Sequence, residues 1–309
     1  MEFIETVDLK RTFGDVVAVE DLNLRIREGE VFAFLGPNGA GKTTTVRMLS
    51  TLIHPTSGKA YIGGNEVGRE PDSLNIRAMV GLLPETPGLY ERLSAYQNLD
   101  YYGRLYGVPD GTRRERIREL LELLGLWDRR DGAVATFSKG MRQKIAIVRA
   151  MVHDPAILFL DEPTAALDPS AAKTVRDFLR DLRGEGRTVF LNTHNLFEAE
   201  RMADRIGVVN THLLAQGSSR ELAARYWKPA TVVRLRQPNE AVVEAIEALD
   251  FVDRVETQDG EFLLHLDNPE RHNPEIVRTV VNAGGEIEYI MEKQRGLEDV
   301  YLRLVGEEA

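Results

Sequence analysis

The sequence predicts an α/β protein with a mostly parallel sheet flanked by helices, followed by a smaller α+β module. Five short apolar runs are continuous rather than alternating, which is typical of strands buried on both faces, and amphipathic helical stretches separate them. The pattern changes after Tyr226-Trp227-Lys228-Pro229, and a length of 309 residues suits two domains. The five runs are 31–35, 80–83, 156–160, 189–191 and 206–209.

Two segments near the start of the chain, 3–9 and 16–26, alternate between polar and apolar residues. Alternation places one side chain toward the core and the next toward solvent. These segments therefore predict half-exposed strands that pair in an antiparallel β subdomain ahead of the parallel sheet.

The C-terminal part of the chain predicts elements in the order β-α-β-β-α-β, the split β-α-β order of a ferredoxin-like module. Its hairpin turns at Asp259-Gly260. A closing amphipathic stretch carries Leu297, Val300, Tyr301 and Leu304 on one helical face. The strands and helices before it are predicted at 231–235, 240–249, 252–257, 261–266, 274–282 and 286–291.

The charge of the chain is divided unevenly between these two parts. Of 39 basic and 49 acidic residues, 31 of each lie in 1–228, so 229–309 holds the remaining 8 basic and 18 acidic residues. A nucleic-acid-binding domain needs a basic surface, so we expect no nucleic-acid partner. We predict a first domain over 1–228 and an acidic accessory module over 229–309.

The chain contains no cysteine, which excludes disulfides, thiolate metal sites and thiol nucleophiles. The first residues, Met1-Glu2-Phe3-Ile4-Glu5, are acidic where a signal peptide is basic, so we expect no targeting segment. The longest apolar runs have the length of strands, far short of a membrane span. We therefore expect the chain not to cross a bilayer.

A glycine-rich segment joins the run 31–35 to a helical stretch. It reads Gly36-Pro37-Asn38-Gly39-Ala40-Gly41-Lys42-Thr43 and fits Gly-x-x-x-x-Gly-Lys-Thr in the strand–loop–helix context that this motif requires. Glycines let backbone N–H groups curl around phosphate oxygens, Lys42 neutralises the β- and γ-phosphates, and Thr43 holds Mg²⁺. The motif predicts a nucleoside triphosphate site.

Two adjacent acids, Asp161 and Glu162, end the apolar run 156–160. Alternation along a strand puts their side chains on opposite sides, so Asp161 reaches the hydrated Mg²⁺ and Glu162 faces the attacking water. Phosphoryl transfer to water needs both roles. On its own the pair fits an acidic helix cap equally well.

Three further segments accompany the two acids in a fixed order. Ser138-Lys139-Gly140 precedes an amphipathic helix, Leu167-Asp168-Pro169 follows the acids, and Thr193-His194 follows the run 189–191. With these segments, residues 1 to about 225 resemble the ATP-binding subunit of an ABC (ATP-binding cassette) transporter.

The resemblance implies a P-loop NTPase cassette with a helical subdomain at about 86–153, which binds ATP and Mg²⁺ between two cassettes arranged head to tail. It implies that Ser138 and Gly140 contact the γ-phosphate across the dimer, that Asp168 lies at the seam, and that His194 senses the γ-phosphate. Phe13, in this reading, stacks on adenine; the alternative is a core residue at a strand end. The remaining nucleotide-binding positions that it implies are Gly36, Asn38, Gly39, Gly41, Lys42, Thr43 and Thr44.

The sequence departs from the family pattern at three places. Glu85 stands where the family usually has Gln, in a loop that serves catalysis and the metal, and Lys139 and Met141 replace the usual Gly and Gln of the signature. A carboxylate at Glu85 still binds Mg²⁺ or water but adds negative charge near the γ-phosphate. Glu85, Ser-Lys-Gly and the C-terminal extension are similar to an exporter-like subgroup of the family.

The resemblance also implies partners: a membrane permease in a separate chain, and a second copy of this chain or a paralogous cassette. The protein is then expected at the cytoplasmic face of the membrane, attached through the permease. Five of the nine tyrosines lie within 90–106, and we expect Tyr90 and Tyr96 at the permease groove because tyrosine is favoured in interfaces. The alternatives are a soluble ABC-type ATPase of DNA repair or translation, and a P-loop kinase.

Overall fold

The computed structural model describes residues 2–165, 167–237, 239–258, 260–293 and 296–306. The chain divides into two compact units, Met1–Ser218 and Ser219–Ala309. Asp259, in the predicted hairpin turn, lies outside the described residues.

The first unit contains two sheets and the helices around them. Its elements are β1 (Glu2–Phe13), β2 (Val16–Leu22), β3 (Arg25–Arg27), β4 (Val31–Leu35), α1 (Lys42–Leu49), β5 (Ser57–Ile62), β6 (Asn65–Glu66), α2 (Asp72–Met79), β7 (Val80–Leu83), α3 (Ala95–Leu105), α4 (Asp110–Leu123), α5 (Lys139–Met151), β8 (Ile157–Asp161), α6 (Pro169–Gly184), β9 (Thr188–Thr193), α7 (Leu196–Met202), β10 (Arg205–Asn210) and β11 (His212–Gly217).

The larger sheet has the strand order β11-β10-β4-β9-β8-β7. Every pair from β10 to β7 is parallel, and β11 joins the edge antiparallel to β10. All residues of β4, β8 and β9 are buried, as their continuous apolar runs predict. The mostly parallel core sheet is confirmed. Because ligands bind at the carboxyl ends of parallel strands, the loops after β4, β8 and β9 define the candidate site.

The second sheet is the predicted antiparallel subdomain. Strand β1 pairs antiparallel with β2, β3 and β5, and β5 pairs with β6. One hydrophobic cluster lies between this sheet, α1 and one face of the parallel sheet, and it includes Phe32, Phe34, Phe159 and Phe190. A second cluster joins the opposite face to α3, α4, α5 and α6. The parallel sheet is therefore held on both faces.

The second unit contains a four-stranded antiparallel sheet of order β13-β14-β12-β15. Helices α9 and α10 bury one face of this sheet, through residues such as Val242, Ile246, Ile276 and Val280. The element order is β-α-β-β-α-β, as the sequence predicts, with a helix before it and another after it. The elements are α8 (Ser219–Tyr226), β12 (Ala230–Leu235), α9 (Glu240–Glu247), β13 (Val252–Gln258), β14 (Glu261–Leu266), α10 (Pro269–Asn282), β15 (Ile287–Glu292) and α11 (Leu297–Gly306).

The division between the units falls ten residues before the boundary predicted at 228/229. The reason is helix α8, which packs with the closing helix α11 of the second unit. Arg303 on α11 donates from Nη1 to the Tyr226 carbonyl at 2.9 Å, and its guanidinium lies 5.6 Å from the Trp227 ring centre. The aromatic pair that marks a linker in the sequence is part of the second unit.

Candidate active site

The loop from β4 to α1 is shaped by three glycines, two of which leave no room for a side chain. Gly39 and Gly41 have φ of +87° and +84°, the left-handed region that favours glycine. A Cβ at Gly36 would lie 2.2 Å from the Val209 carbonyl oxygen, and one at Gly41 would lie 2.1 Å from the Ala18 carbonyl oxygen. The backbone of the loop is therefore wedged between neighbouring strands, which fixes its curvature.

Lys42 turns back over this loop. Its Nζ donates to the carbonyl oxygens of Gly36 at 2.9 Å and Pro37 at 3.0 Å, and the side chain is buried. Burial lowers the pKa of Lys42, while the nearby carboxylates of Glu162 and Asp161 act in the opposite direction. The ammonium group is thus held in place at the start of helix α1, where the first backbone N–H groups lack intrahelical acceptors and attract anions.

The two left-handed glycines form a matched pair for mutation. We expect Gly41→Ala to lower the free energy of unfolding by more than about 3 kcal/mol, since it combines backbone strain with overpacking. Gly39 has the same backbone conformation but open space at its Cβ position, so Gly39→Ala should cost only about 1 kcal/mol. Urea denaturation of both variants measures the difference, and equal costs would contradict the wedged loop.

Asp161 is the last residue of β8 and lies beside the start of α1. Its Oδ2 accepts from Thr43 Oγ1 at 3.0 Å, and its Oδ1 accepts from Asn192 Nδ2 at 2.6 Å. Burial raises the pKa of Asp161, and these hydrogen bonds oppose the rise. A hydroxyl and a carboxylate oxygen side by side suit Mg²⁺, which binds few protein oxygens and takes the rest from phosphates and water.

Glu162 leaves the strand and takes a left-handed backbone conformation with φ +49°. Its backbone N–H donates to the Asn192 carbonyl at 2.9 Å, and its Oε1 accepts from the His194 backbone N–H at 2.9 Å. The prediction that alternation separates the two acids does not apply beyond Asp161, because Glu162 is no longer in β8. Instead, both carboxylates act on Lys42.

His194 and Glu85 lie at the rim of the same site. The Nδ1 of His194 is 2.6 Å from Glu162 Oε1, and the side chain is 62% exposed, so it is not the buried histidine that the strand context also permits. Glu85 is exposed in the loop after β7, and its charge contributes to raising the pKa of Asp161. The structure therefore brings the predicted catalytic side chains together around Asp161.

A second group of predicted residues lies at the starts of α5 and α6. Ser138 caps α5 by accepting from the Met141 N–H at 3.2 Å, and Asp168 caps α6 by accepting from the Ser170 and Ala171 N–H groups at 3.0 Å. A Cβ at Gly140 would lie 3.9 Å from Asp168 Oδ2, so the two segments are neighbours. Among the described residues, no hydrogen bond or ion pair joins this group to the phosphate loop.

The three remaining predicted residues lie at the end of β1, at the tip of the phosphate loop and in the first turn of α1. Phe13 ends β1 and is 47% exposed, with the Arg11 guanidinium 4.5 Å from its ring centre, so it is not a core residue. Asn38 is exposed at the tip of the phosphate loop, and Thr44 is half-buried in the first turn of α1. Phe13 and Asn38 are therefore accessible to a ligand, and Thr44 is partly so.

Sequence reasoning missed two residues that contact the predicted site. Asn192 bonds Asp161, and buried Glu198 accepts from Thr164 Oγ1 in the segment that leads from Glu162 to Asp168. A polar residue inside a buried strand is the signal that points to Asn192. Nothing in the local pattern points to Glu198, because its partner is 34 residues away in sequence.

Comparison with known proteins shows the family of the chain. The family described as ABC transporter matches residues 19–165. The chain is 38% identical to the daunorubicin resistance ATP-binding protein DrrA3 of Streptomyces coeruleorubidus, over 98% of this chain and 96% of that protein. It is 33% identical to the Nod factor export ATP-binding protein I of Rhizobium sp. (strain N33), over 99% and 97%.

A solved structure has a similar fold. The dimeric post-hydrolysis state of the ATP-binding cassette MJ0796, bound to ADP and Pi, is 26% identical and covers 70% of this chain and 98% of its own, with a TM-score of 0.64. The chain belongs to the family of ABC transporter ATP-binding proteins. It is an ATPase with the P-loop NTPase fold. No helix in the described ranges combines the length and the apolar character that a membrane span needs.

Proposed function

We propose that this protein is the ATP-hydrolysing subunit of an exporter, working as a pair of cassettes that drives a permease in a separate chain. The observation that carries the proposal is the gathering of Lys42, Thr43, Asp161 and Glu162 at the carboxyl ends of β4 and β8. The names of two relatives refer to daunorubicin resistance and to Nod factor export, and these names support export as the direction of transport.

The chemistry that we propose is attack of water on the γ-phosphorus of ATP, which breaks the bond to the β-phosphate oxygen and releases ADP. Lys42 holds the β- and γ-phosphates, and Thr43 and Asp161 hold Mg²⁺. The bound Mg²⁺ supplies positive charge against the phosphate oxygens. Glu162 orients the water and accepts its proton, and His194 keeps the Glu162 carboxylate in position through the two contacts at Oε1.

The pairing follows from the separation of the two groups of residues. The caps Ser138 and Asp168 point to a phosphate site that the same chain's phosphate loop does not contact. Lys139 and Arg142 lie in the first turn of α5, where the helix dipole disfavours cations and a bound anion would offset the cost. We propose that the γ-phosphate of ATP on a second cassette, of this chain or a paralogue, is that anion.

The proposed permease groove includes the tyrosines beside the loop of Glu85. Tyr90 and Tyr101 are 48% and 42% exposed, and their rings meet edge to face at 5.3 Å. Arg149 ties this cluster to the loop by donating to the Pro87 and Gly88 carbonyls at 2.5 and 3.0 Å. Tyr96, which we also expect in the groove, is half-buried and packs against the hydrophobic core. Attachment through this groove would place the protein at the cytoplasmic face of the membrane.

An ATPase assay without any acceptor except water tests the proposal. We expect equimolar ADP and phosphate from the full chain with Mg²⁺, and the absence of turnover would favour a P-loop kinase.

A chain that ends at Ser218 should bind ATP as the full chain does, because every proposed nucleotide-site residue lies in the first unit. A folded chain of this length that binds no ATP would show that the acidic unit is more than an accessory module.

A further inference from the structure

Asn192 is a fully polar side chain in an otherwise apolar stretch of β9. It is 1% exposed, and its neighbours across the sheet are Asp161 on β8 and Phe34 on β4. A buried polar side chain costs free energy unless it is hydrogen-bonded, so its presence calls for a partner.

That partner is the carboxylate that we assign to the metal. Asn192 Nδ2 donates to Asp161 Oδ1 at 2.6 Å, while Thr43 Oγ1 donates to Asp161 Oδ2 at 3.0 Å. The two donors hold the carboxylate from both of its oxygens. Without Asn192 the carboxyl group could rotate about its bond to Cβ, since a single hydrogen bond fixes one oxygen only.

Among the residues that the structure describes, the oxygen of the Asn192 amide has no hydrogen-bond partner that would explain the buried side chain. Asn192 Oδ1 is buried and accepts no hydrogen bond in the described part of the chain. In that part of the chain, the side chain therefore makes its hydrogen bond to Asp161 only. The backbone of the same residue contacts the second acid, since its carbonyl accepts from the Glu162 N–H at 2.9 Å.

We propose that Asn192 is a positioning residue that fixes the orientation of the Asp161 carboxylate for the divalent cation of the bound nucleotide. The proposal rests on the proposed function, because it takes Asp161 as the metal-holding carboxylate. Loss of a hydrogen-bond partner behind a metal ligand typically costs 10–100-fold in metal affinity. The effect belongs to the metal and not to the nucleotide, which Lys42 and the phosphate loop hold independently.

The test is the binding of Mn²⁺ to the full chain in the presence of a non-hydrolysable ATP analogue. The electron paramagnetic resonance signal of free Mn²⁺ measures this binding. We expect Asn192→Leu and Asn192→Ala to weaken Mn²⁺ binding by roughly tenfold or more. Affinity for the analogue in EDTA should stay within about twofold. Leucine keeps most of the volume and removes a buried acceptor without a partner, so we expect it to fold, and alanine avoids any steric conflict.

Two further variants separate the causes. Thr188→Val alters the other end of β9, where the Thr188 hydroxyl accepts from the Gly29 N–H at 3.0 Å, and it should leave Mn²⁺ binding unchanged. Asp161→Asn should weaken Mn²⁺ binding strongly. If Asp161→Asn does so but both Asn192 variants bind Mn²⁺ as the wild type does, the positioning role is wrong. If Asp161→Asn also has no effect, the metal assignment fails, and the role of Asn192 fails with it.

Discussion

Glu162→Gln is expected to lower the rate of ATP hydrolysis by roughly 10²–10⁴-fold, the usual contribution of a general base. An amide has the shape of the carboxylate and still accepts from the His194 N–H, but it cannot take a proton from water. ATP binding should persist, because Lys42, Thr43 and the phosphate loop are unchanged. Phosphate release measures the first effect, and equilibrium binding of ATP measures the second.

The control for this variant is Glu185→Gln, which makes the same chemical change at an exposed carboxylate in the first unit. It should hydrolyse ATP at the wild-type rate. Turnover of Glu162→Gln close to that of the wild type would show that another group activates the water. His194 and Glu85 are the next candidates, since both lie at the rim of the site.

Ser138→Arg is expected to abolish turnover while leaving ATP binding by the same chain intact. The side chain lies at the start of α5, where we place the γ-phosphate of ATP on a second cassette, and arginine would fill that space. The substitution also removes the α5 cap, which costs about 1 kcal/mol of stability. Steady-state hydrolysis and ATP binding are measured on the same preparation.

Ser94→Arg is the matched control, because Ser94 caps α3 by accepting from the Gln97 N–H at 3.1 Å. It should lose a similar amount of stability and keep its turnover. If both variants lose turnover equally, a damaged helix cap explains the loss and Ser138 has no role across a pair. If Ser138→Arg loses ATP binding as well, its site belongs to the same chain.

The sequence predicts best where burial is uniform. The bounds of β4 and β7 match the predicted runs 31–35 and 80–83, because both faces of these strands are covered and every position must be apolar or small. Strand β5 was not predicted, because its first three residues are exposed and one of them is a glycine. A Cβ at Gly58 would lie 2.1 Å from the Asp8 carbonyl oxygen, so the close approach of β1 requires glycine there. Pairing with β1, far away in sequence, makes it a strand.

Helix α10 was predicted, but its N-terminal end was placed too late in the sequence. The predicted helix begins at Pro274, but the observed helix begins at Pro269 and contains Pro274. Asn268 caps it by accepting from the Arg271 N–H at 3.3 Å. The cap and Pro269 in the first turn are the start signals that the prediction missed.

The candidate site likewise contains motifs that the sequence predicts and contacts that only the fold supplies. The phosphate loop is one contiguous motif, so its spacing alone predicts it, whereas the acids Asp161 and Glu162 are predicted only together with the other motifs. The contacts among them are not contiguous: His194 reaches Glu162 from the end of β9, and Asn192 reaches Asp161 from the same strand. Such contacts depend on which strands are neighbours, and the order β4-β9-β8 is a property of the fold.

We propose above that two cassettes enclose ATP, and light scattering of Glu162→Gln tests whether two copies of this chain do so. With ATP and Mg²⁺ we expect twice the chain mass of 34.7 kDa, and the single mass without nucleotide. Adding Ser138→Arg to the same chain should restore the single mass with ATP still bound. A mass of 34.7 kDa for ATP-saturated Glu162→Gln, or a dimer that Ser138→Arg leaves intact, would contradict a site shared between two copies of this chain.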